Sequence, residues 1–241
     1  MNVETAGEKA YRQIRRDILF GRLEPSKKLK LDDLRESYGI SVSTLREVLN
    51  RLTAEGLLVA ESARGFEVAP VSPENLKELA SLRQLLECHA LQQSFAMGDM
   101  DWEAGVVAAH HKLASMEKRM LTGDRSVLEI LKRYDWEFHH ALLSACGSRV
   151  MLNAHAAVFD KYRRYLMIAL VFRGETASRE HRLLLECALK RDSQTAQKIL
   201  IQHINDCVTQ TLTTWPIELH VFRNVHSAKR RKMTSQFATS A

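Results

Sequence analysis

Four residues in the C-terminal half have the types and spacing to hold a metal ion. Asp135 and His139, within YDWEFHHALLSAC, are four apart and share one face of a helix. A surface ion pair is the simplest reading of such a pair. At about 100° per residue, however, a helix over 126–146 puts Glu129, Arg133, Glu137, His140 and Ser144 on its polar face, and Asp135 and His139 fall among Leu131, Phe138, Leu142, Leu143 and Cys146. A carboxylate on an apolar face is costly unless it is paired or bound to a cation.

The same test turns two further histidines inward. His181 is flanked by Ala177, Leu184, Leu185 and Ala188, and His203 by Ala196, Ile199, Leu200 and Cys207. A lone inward histidine is usually a satisfied core residue. One Asp and three His on three helices instead form a ligand set suited to Zn, Ni, Mn or Fe, with room for solvent or a ligand. Arg83, among Leu76, Leu79, Leu86 and Ala90, and Arg163, among Leu152, Ala156, Phe159, Met167 and Leu170, also face inward. A buried guanidinium needs an anion. Glu87, one turn from Arg83, meets part of that need. The remainder suits a small carboxylate effector held by metal and guanidinium together, and a structural salt bridge is the competing account for each Arg.

The same residues argue against catalysis. A di-iron bundle needs two Glu-x-x-His motifs and two more Glu. The fitting motif is Glu137-x-x-His140, which lies on the polar face, and no G-x-S-x-G, Walker loop or H-E-x-x-H occurs. A protein that is not an enzyme is therefore expected. A sensor whose signal is the metal itself is the alternative, against which the two inward Arg argue.

These ligands need long helices to position them. Six are expected at about 74–98, 101–121, 126–146, 148–173, 176–190 and 193–214, with Gly98, Gly123, Gly147 and Gly174 between them. Pro70 and Pro73 mark the boundary with a different N-terminal pattern, giving domains over 1–72 and 73–215 and a tail over 216–241. Before the boundary come an amphipathic helix at 5–20, a short helix at 32–38, a turn at Gly39 and a helix over about 43–55. Thr44 and Glu47 have the spacing of a capping box, and Gly56 supplies a stop. LLVAESARGFEVAP reads as two strands around a turn at Ala63–Gly65.

That order is the winged helix-turn-helix order. Ser41, Ser43, Thr44 and Arg46 are then placed to meet phosphates and base edges, Arg46 being able to pair bidentately with guanine. Arg51 lies off the inward stripe of Leu45, Val48, Leu49 and Leu52, and Arg64 and Gly65 sit in the wing. The net charge of +6 adds little to this case. Each of the two domains carries one surplus cation, and the other four lie in the tail around KRRK at 229–232. The chain has 241 residues, 45% hydrophobic and 27% charged, an ordinary globular composition. Cys88, Cys146, Cys187 and Cys207 form no C-x-x-C pair and read as reduced thiols. No apolar run approaches the ~20 residues of a membrane span. The N-terminus MNVETAGEKAYRQIRRD lacks an apolar signal core, so a cytoplasmic protein with no membrane partner is expected.

The stretch GISVSTLREVLNRLTAEGLLVAESARGFEVAPVS resembles the DNA-binding domain of GntR-family transcriptional regulators over roughly residues 8–70. The resemblance implies DNA contacts at Ser43, Thr44, Arg46 and Gly65, a homodimer on a palindromic operator, and repression as the commonest mode. Asp32 and Val42 stand where the family often has Arg, and Lys27, Lys28 and Lys30 are candidate substitutes for phosphate contact. Over about 74–214 the chain is similar to the FCD effector-binding domain of the FadR subfamily. The motifs are R-x-x-L-E at 83–87, D-x-x-F-H at 135–139, E-H at 180–181 and a final His203. That similarity implies an all-α bundle, here of the six-helix VanR-like type. It also implies a divalent metal, Zn above all, on Asp135, His139, His181 and His203, and a small organic acid as effector. Details at 27–31, 98–104 and 141–148 resemble a glutarate-responsive member, which points to a dicarboxylate. The expected fold is mostly α, a winged helix-turn-helix domain followed by the helical domain.

Overall fold

The computed structural model describes residues 4–61 and 65–215. α1 (Ala6–Leu19) begins at Thr5, whose hydroxyl accepts the Glu8 N–H at 3.2 Å, and buries Ala10, Ile14, Ile18 and Leu19 along one stripe. β1 (Lys28–Leu29), α2 (Leu31–Tyr38), α3 (Val42–Ala54), β2 (Leu58–Glu61) and β3 (Gly65–Val68) follow. The strands form one antiparallel sheet in the order β1-β3-β2, with Leu29 opposite Phe66 and Leu58 opposite Val68. These four side chains join the inward faces of α1 and α3 in one core. The winged helix-turn-helix arrangement thus stands, with β1 added. A two-residue strand is too short to leave a periodic signal.

The start of α3 differs from expectation. Its N-cap is Ser41, which has extended backbone and accepts the Thr44 N–H at 3.2 Å. The Thr44–Glu47 capping box is not formed. Gly39 ends α2 with φ 63°, a left-handed turn that glycine adopts at no steric cost, and the chain is already aimed into α3 by residue 41. The 62–64 turn, with Arg64, and the 216–241 tail, with its KRRK stretch, lie outside the described residues.

Six helices build the second part: α4 (Pro73–Met97), α5 (Met100–Leu121), α6 (Leu128–Leu143), α7 (Arg149–Ile168), α8 (Gly174–Lys190) and α9 (Ser193–Thr213), with a 3-10 turn at Arg125–Val127 before α6. α4 packs on α6, α7 and α9, α5 packs on α6 and α8, and α8 packs on α9. Their apolar faces form a second, separate core. α7 stops five residues short of the expected 173. The Leu170 N–H donates to the Met167 carbonyl at 3.2 Å and the Val171 N–H to the Leu166 carbonyl at 2.9 Å. That is a Schellman ending in which Leu170, not glycine, takes the left-handed position at φ 49°. No glycine or proline signals it, and a leucine there costs roughly 1–2 kcal/mol.

α7 also carries the contacts to the N-terminal part. Asp160 pairs with Arg15 of α1, Arg164 Nη2 donates to the Ala69 carbonyl at 2.5 Å, and the Tyr165 hydroxyl accepts the Ser72 N–H at 3.3 Å while donating to Asn75 Oδ1 at 2.8 Å. Arg16 and Arg22 both pair with Glu129 of α6.

The corrected cap yields a test. Ser41→Ala is expected to lower stability in urea unfolding by about 1 kcal/mol, and Glu47→Ala by far less; the reverse order would restore the Thr44–Glu47 box.

Candidate metal centre and nucleic-acid interface

Three packed elements bring the candidate ligands together. Asp135 and His139 come from α6, His181 from α8 and His203 from α9, and all four are buried. Each offers one donor atom, and the four atoms lie within 4.8 Å of one another. The charged and apolar packing around them explains how they stay aimed. His181 Nδ1 donates to Glu117 Oε1 of α5 at 2.6 Å. His203 Nδ1 donates to Glu180 Oε2 of α8 at 2.8 Å. His139 Nδ1 donates to Glu87 Oε2 of α4 at 3.1 Å. A carboxylate on Nδ1 favours the tautomer with a bare Nε2 and raises its basicity; at His139 that nitrogen also lies 3.3 Å from Arg83 Nη2. His181 Nε2 is buried with no hydrogen-bond partner and lies 3.4 Å from Asp135 Oδ1. An orphaned buried nitrogen in that position, with its opposite nitrogen held, fits a metal ion.

The protonation states agree with ligation. Burial pushes His139 down, with Arg83 adding to it, and pushes His203 down to about 3 in spite of the Glu180 hydrogen bond. Both are neutral imidazoles at pH 7, the ligating form. Burial opposes ionisation of Asp135, but the fields of His139, Lys132 and His181 outweigh it and hold the carboxyl well below its usual range. Glu180 is desolvated too, yet hydrogen bonds from His203 and Arg173 hold it at about 2.

The two arginines part company. Arg83 reaches the centre, but its charge is already matched. Its Nε pairs with Glu87, and its guanidinium stacks over Phe159 and Tyr162, 4.3 and 4.8 Å from the ring centroids. His155 Nε2 donates to the same Glu87 oxygen, Oε1, at 2.9 Å. Arg163, expected as a second anion anchor, is not brought to the cluster. It pairs with Asp160 at 2.7 Å, lies over Phe20 at the end of α1, and lines a cleft of about 440 Å³ between α1 and α6. α7 is buried on two sides, and Arg163 faces the N-terminal part.

Sequence reasoning gave no role to Glu117, Glu180, His155, Lys132 and Arg173, of which Glu180 alone had entered, as part of the E-H motif. The first four sit on inward faces that the same wheel would have exposed: Glu117, for instance, continues the stripe Val106, Ala109, Leu113 and Met120. Arg173 follows from the early end of α7. It grips Glu180 bidentately at 2.8 and 2.9 Å and reaches Asp206 at 3.1 Å. A cavity of about 30 Å³ beside the cluster is walled by Lys132, Arg83, Arg173, Phe172 and Cys207 among others. It has room for water.

At the other end, Ser41, Ser43 and Arg46 are exposed around the N-terminus of α3, and Thr44 is half-buried. Ser41 Oγ lies 2.9 Å from both Ser43 Oγ and Thr44 Oγ1. Arg46 makes no ion pair or hydrogen bond among the described residues, so its guanidinium is available. A helix N-terminus ringed by hydroxyls with a free Arg suits phosphate and base-edge contact. Gly65 opens β3 with φ 128°, a conformation glycine tolerates. Arg51 lines the same groove as Ser41 and Thr44 but is tied to α1. It pairs with Glu8 at 2.9 Å and lies 3.6 Å above the Tyr11 ring. Ten residues along a helix is about 15 Å, which puts Arg51 against α1.

Residues 6–68 match the model of the bacterial regulatory proteins of the gntR family, and residues 78–206 match that of the FCD domain. The chain is 32% identical over 210 residues to the HTH-type transcriptional regulator BphR of Paraburkholderia xenovorans, covering 86% of each chain. It is 30% identical over 200 residues to the HTH-type transcriptional repressor GlaR of Escherichia coli, covering 80% of this chain and 90% of that one. Among solved structures, E. coli McbR/YncC superposes with a TM-score of 0.74 at 17% identity over 89% of this chain and all (100%) of its own. A GntR regulator from a Rhodococcus species gives 0.71 at 20% identity over 87% and 99%. At those identities the structures establish the shared fold.

His181→Ala is expected to abolish stoichiometric binding of a divalent metal. Glu117→Gln should keep the stoichiometry and weaken affinity roughly 10- to 100-fold, read by competition with a chromophoric chelator. Full affinity in both variants would remove this cluster from consideration.

Proposed function

The chain belongs to the GntR family of DNA-binding transcriptional regulators, with an FCD ligand-binding domain behind its reading head, and from that premise we propose that it is a repressor controlled by a small organic acid at a metal-containing site. Residues 1–72 act as the head, with Ser41, Ser43, Thr44, Arg46 and Gly65 at the DNA. Residues 73–215 act as the sensor, with Asp135, His139, His181 and His203 as metal ligands. The single observation that carries the reading is the set of three Nδ1–carboxylate pairs, which prepares three imidazoles for one ion. Bound there, a divalent ion would supply a Lewis-acid centre able to take a carboxylate oxygen. Repression is supported by the repressor among the relatives.

The protein acts as a homodimer in the cytoplasm, on a palindromic operator with one α3 per half-site. α7 is the natural coupling element. Its Phe159 lies against His139 and Arg83 on one side. Its Asp160, Arg163 and Arg164 touch α1 and the linker on the other. A shift of the helices around the acid therefore reaches the heads, and linkage requires acid and DNA to alter each other's affinity.

The test uses a duplex selected from a random pool by the full chain, with binding read by fluorescence anisotropy. Arg46→Ala is expected to weaken binding at least about tenfold, in line with the loss of a bidentate base contact, and Arg51→Ala less than about threefold. Succinate or glutarate should change operator affinity of the metal-loaded protein and have no effect after chelation. A response to chelation alone, with no response to either acid, would instead make the metal the signal.

A further inference from the structure

Lys132 is buried on α6, three residues before Asp135. Among the described residues it makes no hydrogen bond and no ion pair, and it lines the cavity beside the metal cluster. Its stem is packed in the core while its ammonium keeps contact with solvent, which leaves a cation at the cavity able to take an anion. Its neighbours do not share that condition. Arg83 is paired with Glu87, and Arg173 is paired with Glu180 and Asp206.

The charge balance of the centre points to what is missing. Three cations, Arg83, Lys132 and Arg173, stand with four buried carboxylates, Asp135, Glu87, Glu117 and Glu180. Asp206, whose side chain is 38% exposed, sits at the rim. A divalent ion on the cluster turns that small negative balance into a net positive charge. Asp135 then serves the ion, Glu87 and Glu180 are matched by Arg83 and Arg173, and Lys132 faces the same cavity as Glu117 with the ion's surplus positive charge beside it. Of the cavity's walls, the one outside helix is the connection between α7 and α8, which contributes Val171, Phe172 and Arg173. A ligand larger than water needs room on that side, where Arg173 is tied to Glu180 and Asp206.

We propose that Lys132 binds a carboxylate of the effector and thereby makes the site select organic anions over neutral molecules of the same shape. This rests on the reading of the site as an organic-acid sensor. Lys132 is a specificity-determining residue, separate from the metal ligands, and Arg83 acts as a support of Glu87 and His139.

The experiment compares the metal-loaded full chain with Lys132→Met and Lys132→Arg, titrated with succinate and glutarate and with the corresponding diamides. Melting temperature reports binding, and metal content is measured in parallel. The wild-type protein is expected to be stabilised by at least one acid and by neither diamide. Lys132→Met should keep its metal and its melting temperature without acid, and lose roughly 10- to 100-fold in affinity for the acid, as expected for a lost charge-assisted contact. Lys132→Arg should keep most of the response. If Lys132→Met binds the acid as wild type does, or the diamides bind as well as the acids, the role of Lys132 is wrong while the sensor reading stands. If Lys132→Met loses metal, Lys132 supports the cluster and not the ligand. If wild type responds to neither acid, the sensor reading falls and takes the role of Lys132 with it.

Discussion

The structure of the helical domain depends on one repeated interaction: a buried imidazole donating its Nδ1 proton to a buried carboxylate. It occurs at His139–Glu87, His181–Glu117 and His203–Glu180. Each half of each pair would be costly alone. Together they hold three rings around Asp135, with His181 Nε2 3.4 Å from its Oδ1. The pairs also tie the bundle together, because α4 is joined to α6, α5 to α8, and α8 to α9 through them. Arg83 and His155 satisfy the other oxygen of Glu87, and Arg173 the other oxygen of Glu180. The centre is therefore part of the core, and the bundle cannot rearrange without disturbing it.

That constraint gives α7 its place. One face carries His155, Phe159 and Tyr162 against the centre, and the opposite face carries Asp160, Arg163 and Arg164 against α1 and the linker. A helix buried on both sides moves as a rigid body, because close packing leaves few intermediate arrangements. Single exposed ion pairs such as Arg16–Glu129 contribute little. The buried Arg164–Ala69 hydrogen bond and the Asp160 pair are the contacts that hold the head to the sensor.

Much of this was legible in the sequence, for identifiable reasons. Asp135, His139, His181 and His203 stand out because helices with one apolar face make an inward polar residue conspicuous. The recognition helix was legible because Leu45, Val48, Leu49 and Leu52 leave Arg46 on the outer side. Glu117 and Lys132 carried the same signal, but lone charged residues on long helices resemble solvated ones until a partner is in view. Arg163 misled because a helix with two buried faces gives the wheel two inward directions. Arg173 was hidden because the end of α7 relies on Leu170 in a left-handed conformation, which no sequence rule marks. Arg51 looked free because its partners, Glu8 and Tyr11, are about forty residues away in the chain.

The central claim is that three imidazoles and one carboxylate, and no thiolate, hold the metal, although Cys207 lines the same cavity. X-ray absorption on the zinc-loaded protein tests it most directly. The account predicts nitrogen and oxygen neighbours at about 2.0–2.2 Å, with the outer-shell scattering of three imidazoles. A sulfur neighbour at about 2.3 Å, or the signature of a single imidazole, would contradict it.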